Sequence, residues 1–251
     1  MARREHDAYD TPPECALACA RWCKGSLGAA PLLLGDSAPL NVLDPTAGGG
    51  PFVRAARATW PEAKIAALDI RPEVEPVLKE AGANWVGILD VFTIPPEQFA
   101  KVDLVLTNPP FALADELFRH LWPAMKDGAS IVFLLPVTFW GSDDRWKIGD
   151  DPDPSTPDAS DTRGLFTIAK PWATPVIVPR PSFLLLDGKE TSPKFEAALF
   201  VWTKGKESQL AEPIRWTKPR KPRAKRKDAT AFLREGDPEF GSEPAPEVYD
   251  P

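Results

Sequence analysis

Apolar residues in this chain come in short runs, and a polar residue or a tight turn ends nearly every one. Leu40-Asn41-Val42-Leu43 runs into Asp44, Lys64 to Leu68 into Asp69, Trp85 to Leu89 into Asp90, and Val102 to Leu106 into Thr107-Asn108. Ala129 to Pro136, ASIVFLLP, is more apolar still. Short runs of this kind suit strands buried on both faces. Helices are expected between them: one opening at Pro51-Phe52-Val53-Arg54-Ala55-Ala56, one from Pro72 to near Gly82, and one from Phe111 to Met125 that breaks or frays at Pro123. An earlier helix is marked by Thr11-Pro12-Pro13-Glu14. Thr11 can cap it, Pro12 fits the first helical position and Glu14 completes a capping box. It should run to about Lys24, with Gly25 and Gly28 beyond. Late in the chain, Val176 to Val178, Phe183 to Leu186 and Phe195 to Trp202 read as further strands. Strands alternating with helices predict an α/β domain.

Composition narrows where that domain lies. The chain has 251 residues, 43% of them hydrophobic, and a formal net charge of -6. That suffices for one sizeable α/β core plus tails. Proline is abundant, 30 of 251, against an average usage of about 5%. The prolines gather in the tails and in a polar stretch, residues 142–164, which has no hydrophobic period and is expected to be a flexible excursion. Residues 1–10 are expected to be a flexible N-terminus, and 206–251 a disordered tail. In that tail Arg215, Lys218, Arg220, Lys221, Arg223, Lys225, Arg226 and Lys227 stand without an acid, and acidic residues follow from Asp228. A basic run of this kind can hold a nucleic-acid backbone by counterion release or can simply solubilise. The domain itself is expected over residues 11–205. No apolar run approaches the roughly 20 residues of a membrane span, and no apolar segment follows the charged MARREHDAYD, so no membrane partner and no signal peptide are expected. Three cysteines fit a reducing, cytoplasmic setting. Cys15, Cys19 and Cys23 lie four apart on one helix face, where a small buried surface accounts for them better than a metal, and no structural metal is expected.

The chemistry gathers at the ends of the runs. Asp44-Pro45-Thr46-Ala47-Gly48-Gly49-Gly50 lies between a strand and a helix, an arrangement that lets backbone approach a ligand at a helix N-terminus. It lacks the lysine of a phosphate loop and does not read GxGxxG. A carboxylate at Asp44 would repel a pyrophosphate and attract an ammonium, which favours a cofactor with an amino-acid moiety. Asp69, about 20 residues on, can take a ribose diol. Asp90 beside Val91 and Phe92 suits an adenine. Any one of these acids could be a helix cap or a loop charge. The fourth run ends in Asn108-Pro109-Pro110-Phe111. Two prolines stop the strand and stiffen the corner. The Asn108 amide oxygen and the Pro109 carbonyl can each accept from an NH2 group, while Phe111 can stack on the ring that carries it.

These motifs resemble class I S-adenosylmethionine-dependent methyltransferases that act on amines. Asp44-Pro-Thr-Ala-Gly-Gly-Gly is similar to the family's cofactor motif, Thr11-Pro12 to its N-terminal cofactor segment, and Asn108-Pro-Pro-Phe to its catalytic motif. FLLPVTF, RPSF and ALFVW look like segments of small phage and prophage DNA adenine-N6 methyltransferases. The resemblance covers roughly residues 9–205 and implies a doubly wound, mostly parallel, seven-stranded Rossmann-like sheet with a C-terminal antiparallel hairpin. It also implies S-adenosylmethionine as cofactor, held by Thr11, Asp44, Pro45, Ala47, Gly48, Gly49, Gly50, Asp69, Asp90, Val91 and Asn108. Asn108, Pro109, Pro110 and Phe111 would be the catalytic corner. A nucleic-acid partner, DNA above all, would meet Phe111, Arg180 and Phe183. An RNA N-methyltransferase, a protein-glutamine methyltransferase or an inactive nucleic-acid-binding relative would share the same motifs.

Overall fold

The chain enters as a two-residue strand, β1 (Tyr9–Asp10), and turns into helix α1 (Pro13–Lys24). The computed structural model describes residues 9–25, 41–149, 161–185 and 195–210, all within the unit Met1–Ala211. Residues 1–8, most of the tail and the middle of the polar stretch lie outside the described residues.

Thr11 does not cap α1. The backbone is still extended at Pro12, which is the N-cap, and no side chain bonds the first turn. Thr11 sits one position too early and is buried instead. The helix ends at Gly25, whose φ of 81° is the left-handed form that glycine adopts freely. Cys19 and Cys23 are buried on its inner face and Cys15 is half-buried.

Next come β2 (Asn41–Asp44), α2 (Pro51–Thr59), β3 (Lys64–Asp69), α3 (Glu75–Glu80), β4 (Trp85–Ile88), β5 (Leu104–Thr107), α4 (Ala114–Leu121) and β6 (Ser130–Pro136). Then follow α5 (Leu165–Ile168), β7 (Leu184–Leu185) and β8 (Ala197–Thr203). The main sheet has the order β4-β3-β2-β5-β6-β8, with β8 antiparallel to β6 and every other pair parallel. Side chains alternate across it. Val42, Ile65, Leu104, Leu106 and Val132 meet α1 and α2 on one face, and Leu43, Leu68, Val105, Ile131 and Phe133 meet α4 on the other. A sheet covered on both faces explains why its strands read as unbroken apolar runs.

Three expectations change. Among the described residues the sheet has six strands, not seven. The place of a seventh is taken by residues 172–177, which run beside β8 with backbone hydrogen bonds from Trp172, Ile177, Leu199 and Val201. Pro175 has no N–H to add, so only two isolated bridges form, Ala173–Val201 and Val176–Ala198. The C-terminal hairpin is not found there either: β7 pairs antiparallel with β1, Tyr9 opposite Leu185 and Asp10 opposite Leu184. The loose ends are also shorter than expected. At the polar stretch, Asp143–Trp146 forms a 3-10 turn with Trp146 buried, and Gly164 N–H bonds the Lys147 carbonyl at 2.8 Å. At the tail, the Lys206 ammonium lies 3.3 Å from the centre of the Trp172 ring.

Candidate active site

Strand order decides which polar residues meet. With β4, β3, β2 and β5 side by side and parallel, Asp90, Asp69, Asp44 and Asn108 all fall at the carboxyl edge of the sheet. Open α/β sheets bind ligands at this edge.

The glycine turn joins β2 to α2. Ala47 N–H bonds the Leu68 carbonyl at 2.8 Å and Gly50 N–H bonds the Ala47 carbonyl at 2.8 Å, which ties the turn to β3. Gly48 and Gly50 have φ of 56° and 79°, a region most side chains avoid. A Cβ on Gly50 would also sit 3.1 Å from Leu78 and 3.2 Å from Ala81, so α3 packs where a side chain would go. Pro45 and Ala47 are buried beneath.

Three carboxylates surround this turn, each in a different state. Asp69 accepts from Gly48 N–H at 2.9 Å and from Arg71 through its backbone N–H at 2.9 Å, Nε at 3.0 Å and Nη2 at 3.2 Å. Burial works to raise its pKa, but the Arg71 hydrogen bonds and charge outweigh it and hold the carboxyl below its ordinary value. Asp44 is fully enclosed. Burial pushes its carboxyl up to about 7, against the pull of Thr107 and the Thr46 N–H, with the neighbouring charges of Asp69 and Asp10 adding to the rise. Asp10 accepts from Gly49 N–H at 3.0 Å.

One strand over, Asp90 accepts from Phe92 N–H at 3.2 Å, and Val91 is buried beside it. On the other side, the Thr46 and Thr107 hydroxyls bond at 2.8 Å, which links the glycine turn to the corner after β5. Asn108 follows directly. Among the described residues, three buried side-chain atoms lack a hydrogen-bond partner: the Asn108 Oδ1, the Thr11 Oγ1 and the Thr59 Oγ1 at the far end of α2. Phe111 is half-buried, and its ring meets Phe195 edge-on, centroids 5.5 Å apart at 80°. Phe195 in turn leans on Phe183 at 5.5 Å and 30°.

No protein-family model matches this sequence. Over 87 residues, 35% of the chain, it is 30% identical to the type II methyltransferase M.CvrRI of Paramecium bursaria Chlorella virus XZ-6E. That stretch is 22% of the viral protein's length. A candidate RNA methyltransferase from Pyrococcus horikoshii superposes with a TM-score of 0.50 at 16% identity, over 81% of this chain and 92% of that one. The fold is the Rossmann-like methyltransferase fold.

Within that fold the structure brings Thr11, Asp44, Ala47 to Gly50, Asp69, Asp90 and Asn108 to one edge. Arg180 does not join them with a free guanidinium: it is exposed and pairs with Glu196. Phe183 packs against Phe195, which meets Phe111 at the corner. Five further residues at this edge are not among the site residues expected from the sequence. Arg71 stands two positions past Asp69, a spacing at which an arginine can fold back on its own strand end. Thr46 lies inside the glycine motif and Thr107 just before the corner. His120 on α4 has its Nε2 3.1 Å from the Val91 carbonyl and 3.0 Å from that of Ile94, and stacks edge-on with Phe92 and Phe99, so α4 holds the Asp90 turn. Asp10 comes from a segment that composition alone marks as loose. Among the described residues no group of three His, Cys, Asp or Glu could hold a metal, and no helix is long and apolar enough to cross a membrane.

Proposed function

We propose that this protein is an S-adenosylmethionine-dependent methyltransferase that methylates an exocyclic amine, the N6 of adenine in DNA. The observation that carries the reading is the Asn108 Oδ1, a strong acceptor withdrawn from water with no donor of its own. Leaving such a group unmade costs about 1–3 kcal/mol. An incoming NH2 group would recover that cost.

The cofactor fits the glycine turn on three grounds. The backbone there is bare of side chains, three carboxylates stand around it against the two guanidiniums of Arg54 and Arg71, and Thr11, next in sequence to Asp10, has a buried, unpartnered Oγ1. On this reading Asp44, Pro45 and Ala47 to Gly50 hold the methionine part, Asp69 the ribose hydroxyls, and Asp90 with Val91 the adenine. When bound, the cofactor supplies a methyl group on a sulfonium. The chain's own work is positioning. Asn108 and the Pro109 carbonyl fix the amine's two hydrogens, so its lone pair points out of the ring plane. Pro110 stiffens the corner, and Phe111, held edge-on by Phe195, offers its face to the base. A base inside a duplex cannot reach such a corner, so the substrate is a flipped or single-stranded nucleotide. On this reading the methyltransferase domain takes in β1 ahead of residues 11–205, with the basic and then acidic tail as an added backbone contact. The likeness to a type II methyltransferase over 87 residues supports DNA as substrate.

Transfer of tritiated methyl from S-adenosylmethionine to plasmid DNA, ribosomal RNA and total protein tests the reading. Label in DNA, recovered as N6-methyladenine after digestion to nucleosides, is the expected result. Label confined to RNA replaces it with an RNA N-methyltransferase.

A further inference from the structure

The glycine turn is completed from outside its own motif. Asp10 reaches it across 39 residues of sequence to accept from Gly49 N–H. The approach is so close that the glycines are needed for it. A Cβ on Gly48 would lie 2.6 Å from the Asp10 Oδ1, and one on Gly49 would run into the Oδ2 with the Cγ 3.1 Å away. Gly48 has a second reason to be glycine in its positive φ, but Gly49 does not. Room for the Asp10 carboxylate is therefore what the missing side chain of Gly49 provides. Pairing of β1 with β7 holds Asp10 in place, and the next residue, Thr11, is buried with its hydroxyl unpartnered.

The three carboxylates at this mouth are not equivalent. Asp69 is committed to Arg71 and Gly48. Asp44 is enclosed and bonded by the Thr46 N–H. Asp10 is half-buried at the surface of the turn, with one oxygen on Gly49 and no donor on the other among the described residues. Two cations stand nearby: Arg71, whose guanidinium hydrogen bonds go to Asp69, and Arg54, whose Nη1 donates to the Gly49 carbonyl at 2.7 Å. Three carboxylates thus face two guanidiniums at the mouth, and Asp10 is the least buried of the three, the one an entering cation meets first.

We propose, on the methyltransferase reading above, that Asp10 is a cofactor-binding residue that engages the positively charged methionine portion of S-adenosylmethionine and favours it over the demethylated product. The cofactor carries an ammonium, a sulfonium and a carboxylate, one net positive charge. Transfer of the methyl group turns the sulfonium into a thioether, so S-adenosylhomocysteine is neutral overall. A carboxylate at the mouth holds the first more strongly than the second, and the spent molecule leaves more readily. The competing explanation is that Asp10 only satisfies an N–H at the start of α2, as a capping acid does.

Calorimetric titration of S-adenosylmethionine and S-adenosylhomocysteine into the full chain separates the two, with Asp10→Asn and Gly49→Ala as variants. Asparagine keeps an acceptor for Gly49 but removes the charge. Asp10→Asn should weaken S-adenosylmethionine about tenfold and S-adenosylhomocysteine clearly less, the size of a unit charge interaction screened almost as in bulk water. Gly49→Ala, which expels the Asp10 carboxylate, should do the same, and the double variant should be no weaker than the worse single. A folded Asp10→Asn protein within twofold of wild type for both molecules, or equally weakened for both, overturns the proposal. A wild-type protein that binds neither molecule overturns the cofactor reading itself, whatever Asp10 does.

Discussion

The carboxyl edge around the glycine turn and the aromatic block behind β6 and β8 are built on opposite rules. In the block the polar handles have partners. The Trp146 indole N–H bonds the Trp140 carbonyl at 2.8 Å, and the Trp202 indole N–H bonds the Ala169 carbonyl at 3.0 Å. Arg145 lies 3.5 Å over the Phe139 ring and pairs with Asp115 at 3.0 Å. Trp140 stacks on Phe166 at 4.7 Å, and Phe200 lies between them and Trp202. At the edge, buried acceptors lack donors, and a fully enclosed carboxyl sits near two others. One region is arranged for stability and the other holds polar groups that a ligand would complete. Substitutions in the two should therefore separate stability from chemistry.

The largest effect should come from the block. Phe200 is fully buried against the rings of Phe139, Trp140, Phe166 and Trp202, and truncation leaves a cavity that these rigid rings cannot fill. Phe200→Ala should cost about 3–5 kcal/mol in urea unfolding. Cofactor affinity of the molecules that stay folded should hold within about twofold. Loss of cofactor affinity without loss of stability would erase the division between the regions.

The next effect belongs to the edge and has the opposite profile. Asn108→Ala should lower methyl transfer by about 10²–10³-fold, the usual loss when one preorganised hydrogen-bonding group at a reacting centre is removed. Stability should stay level or rise slightly, because a buried acceptor without a donor is deleted. Single-turnover transfer and urea unfolding on the same preparation give both numbers. Unchanged transfer would remove the amine-holding role.

The same contrast explains what is legible in the sequence. Buried parallel strands are contiguous apolar runs, and each of the first four ends where the edge begins. Asp44, Asp69, Asp90 and Asn108 can thus be read as one row from the apolar pattern alone. The glycine turn announces itself because its backbone needs are local. What the pattern does not carry depends on pairings between distant residues. Nothing local tells that Asp10 lies on Gly49 or that Leu184–Leu185 pairs with β1. The polar residues 142–149 read as loose because their charges outnumber their apolar residues, yet Trp146 fixes them by packing into the block. Arg180 reads as a substrate contact only because its partner, Glu196, lies 16 residues away.

The smallest effect is a pH dependence, and it follows from Asp44. Its carboxyl titrates near 7 in the folded protein, against 3.8 for an ordinary aspartate. The folded state therefore binds a proton that the unfolded state has lost between about pH 4 and pH 7, and this group's contribution to stability falls as pH rises through that window. Cofactor binding runs the other way. A cation beside Asp44 favours the charged carboxylate, so below pH 7 a proton must leave when the cofactor arrives. Asp10 and Asp69 face the same space and oppose that departure, so the arriving cation must offset them, while Arg71 is held on Asp69. Affinity for S-adenosylmethionine should thus fall below pH 7, by at most about tenfold, or 1.4 kcal/mol, per pH unit, and level off above it. Asp44→Asn should flatten the profile while leaving the Arg71–Asp69 pair in place. Titrations at pH 6.0 in two buffers of different ionisation enthalpy should show proton release in wild type and none in Asp44→Asn. Equal heats in both buffers for the wild type would mean that Asp44 is already charged before the cofactor arrives, and the edge would then be less strained than its burial implies.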